Sequence, residues 1–161
     1  MSHFFMGFTY VYEKPEFMRS LVSFLLLFVA VSTLTAQTPI DELQKQNLSF
    51  LEGQERDGYA FRSQIITEFD AAHASQNVNI KLSESYTYVI VALGDSNIPE
   101  ISLDIKPAKG AKMELISNDS GLAGQSFRLE PSRSGKFKIS INTSGLSGDQ
   151  RGFVSFMVLR K

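Results

Sequence analysis

Residues 101–106 read ISLDIK, and this hexapeptide decides the class of fold. Its apolar residues, Ile101, Leu103 and Ile105, occupy every second position. In an extended chain these three side chains point to one face, and the polar side chains between them point to the other. The pattern is typical of an antiparallel strand that has one face in the core and one face in water.

Seven further segments after Gly58 carry strand signals, and turn-forming residues separate them. They are residues 61–69, 78–82, 86–93, 112–117, 127–129, 137–141 and 153–159. Residues 65–74 also contain good helix formers, but the β-branched residues at 65–67 favour a strand. Eight short strands predict an all-β fold, an antiparallel and jelly-roll-like β-sandwich formed by residues 59–161.

Two of these segments are apolar on both faces, residues 86–93 (YTYVIVAL) and 153–159 (FVSFMVL). We therefore expect them to be central strands, or strands that a helix covers on one side. The sequence predicts such a helix from Pro39 toward Glu52, because Thr38 can cap it and proline suits its first position. Residues 37–58 would then form the helix and a linker.

The N-terminal part of the chain has the pattern of an export signal. Residues 21–36 (LVSFLLLFVAVSTLTA) are apolar and uncharged, follow Arg19 and end in small residues. We expect residues 1–36 to be a signal peptide cleaved after Ala36, with the true start of translation at Met18. The apolar run is shorter than the roughly 20 residues of a membrane-spanning helix. The mature chain is accordingly expected in the periplasm or outside the cell, without a membrane span.

Composition excludes several classes of function. The formal net charge is -1, and removing the leader takes away two basic and two acidic residues. A near-neutral domain has no broad field to attract nucleic acid, so we expect no nucleic-acid partner. The chain has no cysteine, which excludes disulfides, thiolate metal sites and a cysteine nucleophile.

Four phrases follow one another in the predicted sandwich: NVNIKLSESYTYVIVALGD, EISLDIKPAKGAKMELISNDS, SFRLEPSRSGKFKISI and GFVSFMVL. Their order resembles the bacterial pre-peptidase C-terminal domain, a secreted β-sandwich usually attached to exported hydrolases. The resemblance implies accessory work outside the cytoplasm, such as binding a polymer or a partner, and not catalysis. Members of that family often carry Asp-x-Asp-Leu after an acidic loop, whereas this chain has Ser102 at the second acidic position.

A calcium site is the most specific binding site that the sequence suggests. Calcium prefers six to eight oxygen ligands, and Asp95, Glu100, Asp104 and Asp119 could supply several of them at one end of the sandwich. The alternative, which we favour, is that these residues shape turns by bonding their own backbone. No other metal or cofactor is predicted, because His73 is the only histidine after the leader and cannot form a usual zinc site alone.

Two other groups of side chains suit a polysaccharide or an acidic partner. Positive charge is concentrated around one hairpin at Arg128, Arg133, Lys136 and Lys138. The interpretation that we favour for them is that outward lysines protect strand edges from aggregation and keep the surface hydrated. Three tyrosines, at positions 59, 86 and 88, could stack on a sugar. We favour core packing for the tyrosines at 86 and 88, which alternate on one face of the same predicted strand.

The sequence therefore predicts an exported, non-catalytic β-sandwich module with a binding or accessory role toward a protein or polysaccharide partner. A small periplasmic hydrolase that uses carboxylates is one alternative, since paired carboxylates need no fixed spacing in sequence. A structural, envelope-associated protein whose N-terminal helix docks a partner is another.

Overall fold

The computed structural model describes residues 39–121 and 124–161. The elements are α1 (Pro39–Arg56), β1 (Ala60–Asp70), β2 (Ser75–Leu82), β3 (Tyr88–Gly94), β4 (Glu100–Pro107), β5 (Lys112–Gly121), β6 (Gly124–Arg133), β7 (Gly135–Ser144) and β8 (Arg151–Arg160). The predicted signal peptide, its cleavage site and the start at Met18 lie outside the described residues. Within the described ranges, no helix has both the length and the hydropathy needed to cross a membrane.

The strands form two antiparallel sheets, which confirms the predicted all-β sandwich. One sheet has five strands in the order β1-β8-β3-β6-β5, and the other has three in the order β2-β7-β4. The pairs β1–β8, β2–β7 and β3–β6 join strands from the two ends of the chain inward, as in a jelly roll. Strand β5 departs from that scheme, because it pairs with β6 in the five-stranded sheet.

The main core lies between the two sheets. Strand β7 is the middle of the three-stranded sheet, and its residues Phe137, Ile139 and Ile141 are buried against the inner face of the five-stranded sheet. Ile90 on β3 and Phe156 on β8 are among the residues that face them. The alternation predicted for residues 101–106 and 137–141 therefore corresponds to one face in the core and one in water.

Helix α1 covers the outer face of the five-stranded sheet. A second apolar cluster joins Tyr59 to Val89 and Val91 on β3 and to Met157 and Leu159 on β8, and side chains of the helix pack against it. Strands β3 and β8 are thus buried on both faces, as their sequences predicted. The helix is one turn longer than predicted.

The end of the helix is set by Gly58. This residue has a φ of 85°, a left-handed conformation that favours glycine. The N–H of Gly58 donates to the carbonyl of Glu55 at 2.9 Å, and the N–H of Tyr59 donates to that of Gln54 at 3.0 Å. This pair of bonds is a Schellman motif, which satisfies the last carbonyls and turns the chain so that Tyr59 reaches the apolar cluster.

Two boundaries differ from the prediction. Residues 118–121 were predicted as a turn, but they continue β5 because Asn118, Asp119 and Ser120 pair with β6. Strand β3 begins at Tyr88, so Tyr86 lies before the strand and is exposed instead of packing in the core. Residues 65–70 belong to β1, which confirms the choice of a strand over a helix there.

Replacing Asn47 by leucine is expected to raise the free energy of unfolding by about 1 kcal/mol. Asn47 lies on α1 and is 4% exposed, and neither its amide oxygen nor its amide nitrogen has a hydrogen-bond partner among the residues that the structure describes. An apolar side chain of similar volume would remove the cost of burying this amide. Urea unfolding measures the change, with Gln44→Leu on the exposed side of α1 as the control. A destabilised Asn47→Leu variant would contradict the prediction.

A candidate ligand-binding cleft

A cleft of about 590 Å³ opens at one end of the sandwich, between the edge strands of the two sheets. Strands β1 and β2 belong to different sheets, so no backbone ladder joins them. The ends of β2 and β8 and the beginnings of β3 and β7 complete the walls. Its volume lies within the usual range for small-ligand sites, roughly 300 to 1,000 Å³.

Three basic side chains line the cleft: Arg62 on β1, Lys81 on β2 and Arg160 on β8. No carboxylate is among the described residues that line it, and none of the three joins an ion pair within the described parts of the chain. The guanidinium carbon of Arg160 lies 4.2 Å from the centroid of the Tyr86 ring, a cation–π contact that restricts its position. The cleft therefore concentrates positive charge, and the Glu84 carboxylate beside it accepts from the backbone N–H of the lining residue Ser134 at 3.3 Å.

A β-bulge shapes the β1 wall. The pairing of β1 with β8 shifts between Phe61 and Ser63, so Arg62 is an extra residue in the ladder. Bulges change the direction of side chains and interrupt regular alternation. As a result, the consecutive residues Arg62 and Ser63 both line the cleft.

The remaining lining is apolar at the base and hydroxylic at the rim. Ile80, Leu82 and Val158 belong to the sandwich core or pack against it. The Tyr88 hydroxyl accepts a hydrogen bond from the Ser83 N–H at 3.0 Å, and its own proton remains to be donated. Such a surface can hold a ligand that combines an anionic group with hydroxyls or a short apolar stretch.

The outer face of the three-stranded sheet adjoins this cleft. All side chains that β2, β7 and β4 direct outward are polar, as the pairing of these fully described strands shows. They are Ser75, Asn77, Asn79, Lys81, Lys136, Lys138, Ser140, Asn142, Ser144, Glu100, Ser102, Asp104 and Lys106. Side-chain hydrogen bonds join neighbouring strands, for example from Ser75 to Asn142 at 2.7 Å and from Ser140 to Asn77 at 2.8 Å.

Four lysines occupy the end of this face nearest the cleft, and we call Lys81, Lys106, Lys136 and Lys138 the lysine array. Lys81 lies directly opposite Lys136, and Lys106 lies directly opposite Lys138. Only Lys106 has an ion-pair partner among the described residues, the Asp104 carboxylate at 2.5 Å.

The structure divides the basic hairpin predicted from the sequence. Lys136 and Lys138 face outward from the three-stranded sheet. Arg128 lies on the opposite side of the sandwich, where its guanidinium approaches Asp57 at 4.0 Å and the Tyr59 ring at 5.3 Å. Protection of strand edges also does not account for Lys136 and Lys138, because β7 has a partner strand on each side.

The structure does not bring the four predicted calcium ligands together. Glu100 and Asp104 lie on the outer face of β4, four residues apart, which is about 13 Å in a strand. Asp119 pairs with Ser126 on the outer face of the five-stranded sheet, the opposite side of the sandwich. Within residues 39–121 and 124–161, no three His, Asp or Glu side chains form a group suited to a metal ion.

Asp95 is a buried anchor in the turn after β3. Its carboxylate accepts hydrogen bonds from the backbone N–H groups of Asn97 at 3.0 Å and Phe153 at 2.9 Å. The backbone N–H of Asp95 in turn donates to the Phe153 carbonyl at 3.0 Å. These bonds fix the turn to the start of β8, the turn-shaping role that the sequence favoured. Glu100 accepts a short hydrogen bond from the Ser144 hydroxyl.

We expect calcium to leave the thermal midpoint of unfolding unchanged. A ligand that binds only the folded state must raise that midpoint, but the four carboxylates are too dispersed to surround one ion. Thermal melts with excess calcium and with EDTA provide the measurement. A higher midpoint in calcium would contradict this expectation, and Asp95→Asn, Glu100→Gln, Asp104→Asn and Asp119→Asn would then identify the ligands.

His73, the histidine considered at the sequence level, belongs to an exposed turn. The Asp70 carboxylate accepts from the backbone N–H of His73 at 2.6 Å and lies 3.0 Å from Nδ1 of its ring. The backbone hydrogen bond is the main cause that holds the pKa of Asp70 below its ordinary value. This interaction supports the turn above the ordinary pKa of the carboxyl group and is lost as the pH falls through the lowered value.

The three tyrosines considered for sugar stacking do not form one platform. Tyr59 is buried beside helix α1, and Tyr88 is buried between the sheets. Only Tyr86 is exposed, with its ring centroid 6.3 Å from that of Tyr88 in an edge-to-face arrangement. A sugar at the cleft would therefore be held by charge and hydrogen bonds instead of an aromatic surface.

The arrangement defines a class, a jelly-roll-like sandwich with a basic cleft between its sheets. No family model matches the chain, and searches of curated proteins and of solved structures likewise find no match. Membership of the pre-peptidase C-terminal domain family, which the sequence resembles, stays a prediction.

Proposed function

We propose that this protein is an exported, non-catalytic binding module that holds an anionic group of its ligand in the cleft. The observation that carries the proposal is the set of three basic side chains, Arg62, Lys81 and Arg160, around a cleft without a lining carboxylate. The leader pattern of residues 21–36 supports export. The resemblance to an accessory β-sandwich domain agrees with a binding role.

Charge and geometry support an anion in this position. Arginine presents planar N–H donors that match carboxylate, sulfate and phosphate oxygens, and such charged hydrogen bonds are about twice as strong as neutral ones. Arg160 is already oriented by Tyr86, which lowers the entropy that binding would cost. The bulge at Arg62 brings a second guanidinium to the same opening.

Asp95 and Glu100, two carboxylates that a hydrolase could use, form hydrogen bonds that stabilise the fold. Both oxygens of Asp95 accept backbone N–H groups, and the Asp95 side chain is only 3% exposed. Glu100 bonds Ser144 on the outer face of the sheet, away from the cleft. These contacts favour the binding role over the hydrolase alternative.

Calorimetric titration of the purified protein tests the proposal with two anionic trisaccharides, one carboxylated (trigalacturonate) and one sulfated, and with neutral maltotriose. We expect at least one anionic sugar to bind, more weakly at high salt, and maltotriose to give no heat. Arg62→Gln combined with Arg160→Gln should weaken binding at least tenfold, because each arginine contributes a charged hydrogen bond. Arg62→Lys combined with Arg160→Lys keeps both charges but loses the planar donors, so its affinity should lie between those of the unmodified protein and the double glutamine variant.

A matched control removes the same charge elsewhere. Lys45→Gln with Arg56→Gln also loses two positive charges, but both residues are exposed on α1 and neither lines the cleft. This variant should bind as the unmodified protein does. The proposal would be overturned if neither anionic sugar binds, or if maltotriose binds as tightly as they do. It would also be overturned if the arginine pair in the cleft and the control pair on α1 lose the same affinity on mutation to glutamine.

A further inference from the structure

We infer that the ligand is a linear acidic polysaccharide, which runs from the cleft around edge strand β2 and onto the lysine array. This inference rests on the proposed function and adds the class of ligand and its path. It uses a part of the surface, the outer face of the three-stranded sheet, that the cleft alone does not require.

The cleft and the lysine array are continuous. A shallower hollow of about 320 Å³ is lined by Asn79, Ile80, Lys81 and Lys136. It shares Ile80 and Lys81 with the cleft and Lys136 with the array. Lys81 therefore connects the basic residues of the cleft, Arg62 and Arg160, with the lysines on the middle strand of the three-stranded sheet.

The spacing of the lysines suits a chain with repeated negative charges. Opposite residues of paired strands lie about 5 Å apart, and residues two apart on one strand lie about 7 Å apart. Lys81 and Lys136 lie opposite each other on paired strands, and Lys136 and Lys138 lie two residues apart on β7. Successive anionic groups of one polymer can reach these ammonium groups in turn.

The array carries an electrostatic cost that edge protection explains for Lys81 and Lys106 on the edge strands but not for Lys136 and Lys138. Like charges directly opposite each other destabilise a sheet, and two such lysine pairs are adjacent here. Lys136 and Lys138 have no carboxylate partner in the described parts of the chain. They also protect no edge, because they lie on the central strand β7. A polyanion that lies across the array would neutralise this repulsion.

The rest of the face favours a polysaccharide over other polyanions. Beyond the lysines it presents amides and hydroxyls such as Asn77, Ser140 and Asn142, which can bond to sugar hydroxyls. None of its outward side chains is aromatic, so bases of a single-stranded nucleic acid would have no stacking surface. None is apolar either, so an anionic membrane would gain only charge contacts.

A chain-length series tests the inference. The probes are the anionic trisaccharide that binds the cleft and the long polymer of the same sugar, with concentrations of both expressed per trisaccharide. We expect the polymer to bind about tenfold more tightly to the unmodified protein. Lys136→Gln with Lys138→Gln should remove this advantage and leave trisaccharide binding unchanged. Lys45→Gln with Arg56→Gln should preserve the advantage.

The outcomes separate this inference from the proposed function. If no anionic trisaccharide binds, the proposed function fails. If the trisaccharide binds but the polymer binds no more tightly, only the inferred contact of the polymer with the lysine array is wrong. The same conclusion follows if the variant with Lys136→Gln and Lys138→Gln still binds the polymer more tightly than the trisaccharide. A single-stranded oligonucleotide of equal charge number that binds as tightly as the polymer would overturn the assignment to a polysaccharide.

Discussion

Asp95→Ala is expected to lower the free energy of unfolding by about 3 kcal/mol, because it leaves two partly buried backbone N–H groups without their acceptors. These groups belong to Asn97 and Phe153, which the Asp95 carboxylate joins across the start of β8. Asp95→Asn keeps an amide oxygen that can serve one of them, so its loss should be about half as large. Urea unfolding monitored by circular dichroism measures both values.

Glu100→Ala is the matched control for this experiment. Glu100 is also an acidic residue near the β3–β4 turn, but it is exposed and bonds only the Ser144 hydroxyl. Its removal should change the free energy of unfolding by less than about 0.5 kcal/mol. An Asp95→Ala variant as stable as Glu100→Ala would show that the buried carboxylate is not the anchor described here.

Phe137→Ala should have the largest effect on stability, a loss of about 4 kcal/mol. Phe137 is fully buried on the middle strand of the three-stranded sheet, where both sheets contribute side chains around it. Removing the ring loses its apolar contacts and leaves a cavity that the two sheets can fill only in part. A domain at the lower end of the ordinary range of stability, about 5 kcal/mol, would be close to unfolding.

Phe61→Ala is the control, because it replaces phenylalanine by alanine at an exposed position. Phe61 lies on edge strand β1 and is 46% exposed, so the same truncation should cost less than about 1.5 kcal/mol. The difference between the two variants, measured from their urea midpoints, reports the burial of the Phe137 ring. Similar losses for both would contradict the assignment of β7 to the core.

The strands were predictable because the main core lies between two sheets and selects every second residue. Residues 101–106 and 137–141 alternate strictly, and both segments are half-buried strands in the structure. Residues 86–93 and 153–159 were recognisable as central because α1 covers their second face, so that face is apolar too. The polar residues 118–121 have the composition of a turn, but they belong to edge strand β5. Composition fails there because the backbone pairing with β6 determines the conformation.

The candidate site was much less predictable. Arg62 and Lys81 come from β1 and β2, which belong to different sheets, and Arg160 comes from β8, so only the folded sandwich brings the three together. The bulge at Arg62 leaves no recognisable signal in the sequence. The sequence did single out Lys136 and Lys138, but it grouped them with Arg128, because neighbours in a hairpin were assumed to share a face. The sequence offered Asp95 as a possible calcium ligand but favoured a turn-shaping role, and its carboxylate does accept backbone N–H groups in the structure.

The position of β8 has a consequence for the timing of folding. Strand β8 follows the other described strands in the sequence but lies between β1 and β3, so the five-stranded sheet has no continuous middle until β8 is present. Contacts between such distant segments form slowly, on a scale of milliseconds to seconds for β-rich domains. A growing chain therefore cannot close its larger sheet until β8 has been synthesised, and the edges of β1 and β3 stay open to other strands before that point.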